Sequence, residues 1–190
     1  MKHITWTILF GVVLFLAGCA KDSVWVAASE AGKRAYEEGR YAEAATHYET
    51  ALEEARHFQE HDARLVTTLE NLGLVYEVLG RYQEAEPLYQ RVWELRKEIS
   101  GNNHPSVAGA IEKLAGVYEA QQKYADAEKL YLQSLEVQQN TLGPHHPELA
   151  RLLQRRAEAL RNLNREEEAA ESESRARTIR TEHAQQTPPK

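Results

Sequence analysis

The chain has 190 residues, of which 42% are hydrophobic and 27% are charged, so it has enough apolar content to fold. Its 29 acidic and 23 basic side chains give a net charge of −6, which argues against a general nucleic-acid-binding protein, because such proteins are usually basic. A single cysteine excludes an internal disulfide framework and a cysteine-rich zinc site.

The first 18 residues have the character of a signal peptide. Lys2 precedes an uncharged and mostly apolar run at residues 4–17. As a helix this run spans about 21 Å, which is short of the roughly 30 Å hydrocarbon core of a membrane. We therefore interpret residues 1–18 as a cleaved signal peptide rather than a membrane span.

The apolar run ends in Leu-Ala-Gly-Cys at residues 16–19, which resembles the lipobox of bacterial lipoproteins. The resemblance implies cleavage before Cys19 and attachment of palmitate and other acyl chains there, with residues 19–23 as a short linker. Because Ala20 rather than aspartate follows the cysteine, the resemblance to enterobacterial sorting rules favours the outer membrane, facing the periplasm. An ordinary signal peptide followed by a chance cysteine is the alternative.

The rest of the chain repeats with a period of about 42 residues. A turn sequence at residues 39–44 recurs at 80–86, 122–128 and 164–169, and its alanine falls at positions 44, 85, 127 and 169. Each repeat has the apolar spacing of two helices. The pattern predicts a repeat domain over residues 24–183, with units at about 25–58, 66–99, 108–141 and 150–183, followed by a flexible tail at 184–190. Asp22 or Ser23 is a candidate cap for the first helix.

Apolar residues at helical spacing predict the face that each helix buries. In the second unit these are Leu65, Leu69, Leu72, Gly73 and Tyr76, then Ala85, Leu88, Tyr89, Val92, Leu95 and Ile99. In the third they are Ile111, Leu114, Ala115 and Tyr118, then Ala127, Leu130, Tyr131 and Leu135. The small residues in both sets allow paired helices to approach closely.

The spacing Leu72-Gly73-x₂-Tyr76, followed by Ala85-x₃-Tyr89, resembles the tetratricopeptide-repeat signature. The 42-residue period and the Gly-x₂-His-Pro linker at residues 101–105 resemble its kinesin-light-chain-type subclass. The resemblance covers about residues 25–183 and implies an all-α fold, a right-handed α-solenoid of about four helix pairs. Since an array needs a polar face at its end, we interpret residues 165–182 as a capping helix.

The histidines do not predict a metal centre. His145-His146-Pro147 repeats the linker His104-Pro105, so a histidine cap before a helix-starting proline is the better interpretation, and His57 and His61 fit an exposed pair. The sequence contains no glycine-rich phosphate loop, no Gly-x-Ser-x-Gly and no His-Glu-x-x-His. We therefore expect no enzymatic activity, no cofactor and no metal.

The family resemblance implies that the first helix of each pair lines a concave groove. Residues off the packing face of those helices are Thr67, Glu70, Asn71, Leu74 and Glu77 in the second unit, Glu112, Lys113 and Glu119 in the third, and Arg151, Arg155, Glu158 and Arg161 in the fourth. The predicted groove is acidic in the middle and basic at its C-terminal end. Asn71 matches an asparagine that binds peptide backbone in the kinesin-light-chain type. The alternative is that these are ordinary solvated residues.

These features predict a lipid-anchored scaffold of the bacterial cell envelope that binds a protein or peptide partner, and no nucleic acid, in its groove. The alternative is a structural subunit or assembly factor of an outer-membrane machine for secretion, pilus formation or outer-membrane protein biogenesis.

The lipid anchor depends on one thiol. We expect Cys19→Ser to release the protein from membranes or to leave an uncleaved precursor, whereas Ser23→Ala should remain mature and membrane-bound. Fractionation of bacterial envelopes, with the mass of the recovered chain, measures both properties. A mature, membrane-bound Cys19→Ser protein would contradict the lipoprotein interpretation.

Overall fold

The computed structural model describes residues 22–59 and 61–186, so the signal-peptide prediction and Cys19 lie outside the described residues. The described part contains eight helices and no strand. They are α1 (22–37), α2 (Tyr41–Ala55), α3 (Ala63–Val78), α4 (Tyr82–Ser100), α5 (Pro105–Ala120), α6 (Tyr124–Leu142), α7 (Pro147–Asn162) and α8 (Glu166–Gln186). None of these helices combines the length and the apolar character that crossing a membrane requires.

The described residues divide into two compact units: unit 1 ends at Leu79 and unit 2 begins at Gly80. Unit 1 holds α1 to α3: α2 packs on α3, and the Trp25 indole of α1 donates a 2.9 Å hydrogen bond to the Thr68 hydroxyl of α3. Unit 2 holds α4 to α8, and each helix packs on the next one in the chain. The unit boundary follows α3 directly, between the two helices of the second predicted repeat.

The turn between the helices of each repeat contains one residue in the left-handed region. Its φ is 75° at Gly39 and 70° at Gly80, but the same position holds Gln122 (60°) and Asn164 (58°) in the later repeats. A left-handed residue here closes the end of the preceding helix, as in the 2.8 Å bond that the Lys123 N–H donates to the Tyr118 carbonyl. Glycine adopts this conformation without strain, which explains its place in the first two turns.

The basic residue that follows the left-handed position is paired with an acidic residue three positions later. Arg40 is paired with Glu43, Arg81 with Glu84, and Arg165 with Glu168. In the remaining turn Lys123 contacts Glu86 of α4 instead, at 3.0 Å. The recurring turn sequence therefore combines a backbone requirement with a short-range ion pair at the start of the next helix.

The alanine of the turn sequence is fully buried in every repeat, with no exposed surface at Ala44, Ala85, Ala127 or Ala169. In α8, Ala169 packs with Ala157 and Leu160 of α7. Most predicted core positions are buried, but Leu65, Leu88 and Tyr118 are half-buried and Ile99 is exposed. The Tyr118 hydroxyl accepts a 3.1 Å hydrogen bond from Gln90, and Ile99 lies in the exposed last turn of α4.

The linker histidines cap helices, as the repeated His-Pro sequence predicted. The His104 Nδ1 accepts from the Ser106 N–H at 3.2 Å, and the His146 Nδ1 accepts from the Glu148 N–H at 3.3 Å. The proline that follows each histidine occupies the first helical turn, where its missing N–H leaves no bond unmade.

Both ends of the helical region are longer than the sequence predicted. Asp22 lies inside α1 and contacts Arg64 of α3 at 2.6 Å, so it does not serve as the predicted cap. At the other end, α8 extends to Gln186 into the predicted tail, because no glycine or proline interrupts it before Pro188. Its buried residues, Ala169, Ser172, Ala176 and Ile179, form one narrow stripe on a mostly exposed helix.

Enlarging a turn-sequence alanine should disrupt helix packing. We expect Ala85→Leu and Ala127→Leu each to lower the free energy of unfolding by about 1–3 kcal/mol, because a larger side chain overfills a closed contact. Ala125 is exposed on the same helix as Ala127, so Ala125→Leu is the matched control and should change stability little. Thermal melts measure all three; equal melting temperatures would show that the repeat register is misassigned.

Candidate partner-binding surfaces

An opening in unit 1 lies between α1 and α3 and has a volume of about 480 Å³. We call it the α1–α3 groove. Three aromatic rings and two aliphatic side chains form much of its wall, so it presents an apolar surface. Its lining consists of Trp25, Val26, Ser29, Glu30, Lys33, Tyr36 and Glu37 from α1, Tyr48 from α2, and Asn71 and Leu74 from α3.

A glycine allows the floor of this groove to form. A β-carbon on Gly32 would lie 3.0 Å from the Tyr48 ring, closer than such contacts normally are. The missing side chain therefore lets the ring pack against the backbone of α1. Tyr48 is buried as a result, and its burial raises the pKa of its phenol.

Five polar or charged residues line the groove, and those at its mouth are mainly acidic. Glu30 and Glu37 are both exposed, while Lys33 is 3.8 Å from Glu37. Deeper in the groove, the Ser29 hydroxyl is buried and has no hydrogen-bond partner, and the Asn71 amide is half-buried. The groove thus combines apolar walls, two inner groups able to form hydrogen bonds, and a net negative mouth.

Only two of the predicted binding residues of α3 line this groove, namely Asn71 and Leu74. Thr67 is exposed and its hydroxyl donates back to the Ala63 carbonyl at 2.9 Å. Glu70 and Glu77 are half-buried and already have interaction partners.

Sequence reasoning missed the residues that α1 contributes, although a signal for them was present. The turn alanines at 44 and 85 give a spacing of 41 residues between the first two repeats. Shifting the five predicted groove positions of α3 back by this spacing gives five residues that all line the groove: Val26, Ser29, Glu30, Lys33 and Tyr36.

In unit 2, the charges predicted to face a partner are paired with one another. Arg151 of α7 contacts Glu112 of α5 at 2.6 Å, and Arg155 contacts Glu119 at 2.8 Å. The prediction of an acidic centre and a basic end, each open to a partner, therefore needs correction here. Neighbouring first helices place these positions side by side, so glutamates of one repeat neutralise arginines of the next.

The pair formed by Glu119 and Arg155 is built into the packing. The buried Tyr131 hydroxyl donates a 2.7 Å hydrogen bond to the Glu119 carboxylate, and the Arg155 guanidinium lies 5.5 Å from the Tyr131 ring centroid. Burial, together with the bond to Glu119, raises the pKa of Tyr131 well above its usual value. A β-carbon on Gly116 would lie only 3.5 Å from Arg155, so the arginine lies across this glycine.

The remaining predicted residues of unit 2 do not form a site. Arg161 is paired with Glu173 of α8 and lies 3.9 Å from Glu166. Lys113 and Glu158 are exposed to solvent. No cluster of three or more potential metal ligands occurs among the described residues.

A buried ion pair, which the sequence did not predict, connects three helices of unit 2. The Arg156 guanidinium of α7 donates at 2.8 Å to Glu128 of α6, whose side chain is 9% exposed, and at 3.0 Å to the Ser172 hydroxyl of α8. Arg165 lies 3.6 Å from the same carboxylate. Arg156 and Glu128 are largely shielded from solvent, whereas the Arg165 side chain is 40% exposed.

Because the α7 arginines are paired, reversing their charge should destabilise the chain. Replacing Arg151 and Arg155 by glutamate places like charges beside Glu112 and Glu119, so we expect the free energy of unfolding to fall by about 1–3 kcal/mol. Adding Glu112→Arg and Glu119→Arg should restore part of the loss. The control is reversal of Arg177 and Arg180, which are exposed on α8. Denaturant titration measures the series; unchanged stability of the α7 double variant would contradict the pairing.

Comparison with known proteins identifies the repeat. A family model described as tetratricopeptide repeat matches residues 27–98, 64–110 and 106–182, while no curated protein sequence matches the chain. These matches confirm the predicted class, an all-α solenoid of about four helix pairs.

Solved structures share the same fold at low sequence identity. BtubC (BKLC) from P. vanneervenii is similar with a TM-score of 0.78 and 20% identity, over 90% of this chain and 68% of its own. The repeats of a putative kinesin light chain from Podosopora anserina give 0.76 and 22%, over 87% and 77%. MamA gives 0.64 and 16%, over 85% and 81%. The chain belongs to the tetratricopeptide-repeat family.

Proposed function

We propose that the chain is a lipid-anchored interaction scaffold of the bacterial cell envelope, with no catalytic activity of its own. Membership of the tetratricopeptide-repeat family supports a role in binding protein or peptide partners. The lipobox-like sequence that ends at Cys19 supports the anchor, and Ala20 favours the outer membrane with the protein facing the periplasm.

The proposed binding surface follows from a difference between the first helices of the repeats in the two units: their charges are paired in unit 2, whereas they line an open apolar groove in unit 1. In unit 2, Glu112 and Glu119 are paired with Arg151 and Arg155. In unit 1, the α1–α3 groove is open and lined by Trp25, Tyr36 and other apolar side chains. A partner binding the α5–α7 face would have to displace existing ion pairs, whereas a partner in the α1–α3 groove gains apolar burial directly.

The chemistry of the groove indicates the kind of segment that it binds. Its aromatic and aliphatic walls suit an apolar side chain of a helix or extended peptide. The Asn71 amide and the Ser29 hydroxyl suit backbone groups of such a peptide, since both sit within the lining. Glu30 and Glu37 at the mouth favour a basic residue beside the apolar anchor.

Filling the groove should block partner binding without unfolding the chain. We expect Leu74→Trp to abolish partner capture in intact envelopes while the melting temperature changes little, because Leu74 is only half-buried. The control is Gln154→Trp, at an exposed position of α7, which should leave capture intact.

A photo-crosslinking amino acid at Tyr36 identifies the captured segment directly. We expect crosslinks from position 36 to an apolar segment with a flanking basic residue, and none of that kind from position 154. Crosslinks from position 154 alone, or unchanged capture by Leu74→Trp, would contradict binding in the groove. A permanent complex of fixed stoichiometry would favour the alternative role of an outer-membrane machine subunit.

A further inference from the structure

One end of unit 1 carries a cluster of two aromatic rings and an arginine. Trp25, near the start of α1, meets Phe58, just after the end of α2, edge to face with 6.2 Å between the ring centroids. The Arg64 guanidinium, from the start of α3, lies 3.6 Å from the Phe58 centroid and 5.8 Å from that of Trp25. Asp22 and Asp62 each pair with this arginine, at 2.6 and 2.7 Å.

Two valines beside this cluster are exposed to solvent. Val24 is 44% exposed and Val26 is 42% exposed, although both are large aliphatic residues in an ordered helix. They flank Trp25 in sequence and point to different sides of α1, since each helical residue advances about 100°. We call Val24, Trp25, Val26, Phe58 and Arg64 the α1 edge.

The α1 edge lies close in sequence to the proposed anchor, and the inference here rests on that part of the proposed function. Asp22, the first described residue of α1, follows Cys19 by three positions. Three residues reach at most about 11 Å even when fully extended. The headgroup region of one leaflet is about 5–8 Å deep, so an anchored Cys19 holds the α1 edge at or beside the lipid surface.

The residue types at this edge match those that proteins place at a membrane interface. Tryptophan and phenylalanine rings, short aliphatic side chains and arginine combine apolar surface with groups that tolerate water and lipid phosphates. Nearby charges are largely compensated: Arg56 is paired with Glu53, and Arg64 is paired with two aspartates, which leaves one net negative charge among them. The edge therefore presents apolar contact without a large uncompensated charge.

We propose that the α1 edge docks on the lipid surface to which Cys19 is anchored. The lipid supplies membrane affinity, and the docked edge supplies a second contact. Two contacts restrict how unit 1 rotates on its tether. The partner groove, whose wall includes Trp25 and Val26, then begins at the membrane.

Fluorescence quenching in vesicles tests this docking with the lipidated mature chain. The predicted mature chain contains two tryptophans, at positions 25 and 93, so Trp93→Phe leaves Trp25 as the only tryptophan, whose emission can be excited selectively over that of tyrosine. We expect a nitroxide on the lipid headgroup, in phosphatidylethanolamine–phosphatidylglycerol vesicles, to quench Trp25 strongly. The comparison variant, Trp25→Phe, retains only Trp93, which lies outside the α1 edge, and reports the background quenching.

A second variant distinguishes contact of the α1 edge with lipid from mere closeness to the anchored Cys19. Val24→Ser with Val26→Ser, in the Trp93→Phe background, should reduce the quenching of Trp25 while the melting temperature stays the same. Protein that floats with the vesicles but shows equal, weak quenching of Trp25 and Trp93 would overturn the docking and leave the anchor intact. Unchanged strong quenching in the valine variant would overturn the contact at the edge. Failure to float would overturn the anchor and this inference together.

Discussion

Close approach of neighbouring helices at four alanines is the constraint on which the rest of the structure depends. Ala44, Ala85, Ala127 and Ala169 have no exposed surface, and each follows a turn whose left-handed residue ends the previous helix. Turn and alanine together fix where each helix starts relative to the one it packs on. Within unit 2, this regular placement brings side chains of successive first helices into contact.

That contact determines which surfaces remain for a partner. In unit 2, two glutamates of α5 form ion pairs with two arginines of α7. The Tyr131 hydroxyl donates a further hydrogen bond to one of these glutamates, Glu119. In unit 1, α1 instead lines the groove with Trp25, Val26 and Tyr36. Because Gly32 has no side chain, the Tyr48 ring packs directly against α1. The same repeat geometry thus gives a neutralised surface in one unit and an open apolar groove in the other.

The sequence predicts the helices well because their signals are local or periodic. The apolar spacing, the His-Pro linkers and the turn motif each depend on residues within a few positions of one another. It predicts the ion pairs poorly, since Glu119 and Arg155 lie 36 residues apart and their contact depends on side-chain reach across repeats. The groove was predicted only in part: Asn71 and Leu74 follow from the family pattern, whereas none of the groove residues of α1 was predicted.

A double-mutant cycle between Glu119 and Arg155 tests most directly whether unit 2 neutralises its own first-helix face. The cycle compares Glu119→Gln, Arg155→Gln and the double variant by denaturant titration. A paired contact whose Arg155 side chain is 41% exposed predicts a coupling free energy of about 0.5–1 kcal/mol, which added salt weakens in part. Additive single effects, with no coupling, would contradict the account and return these residues to the candidates for partner binding.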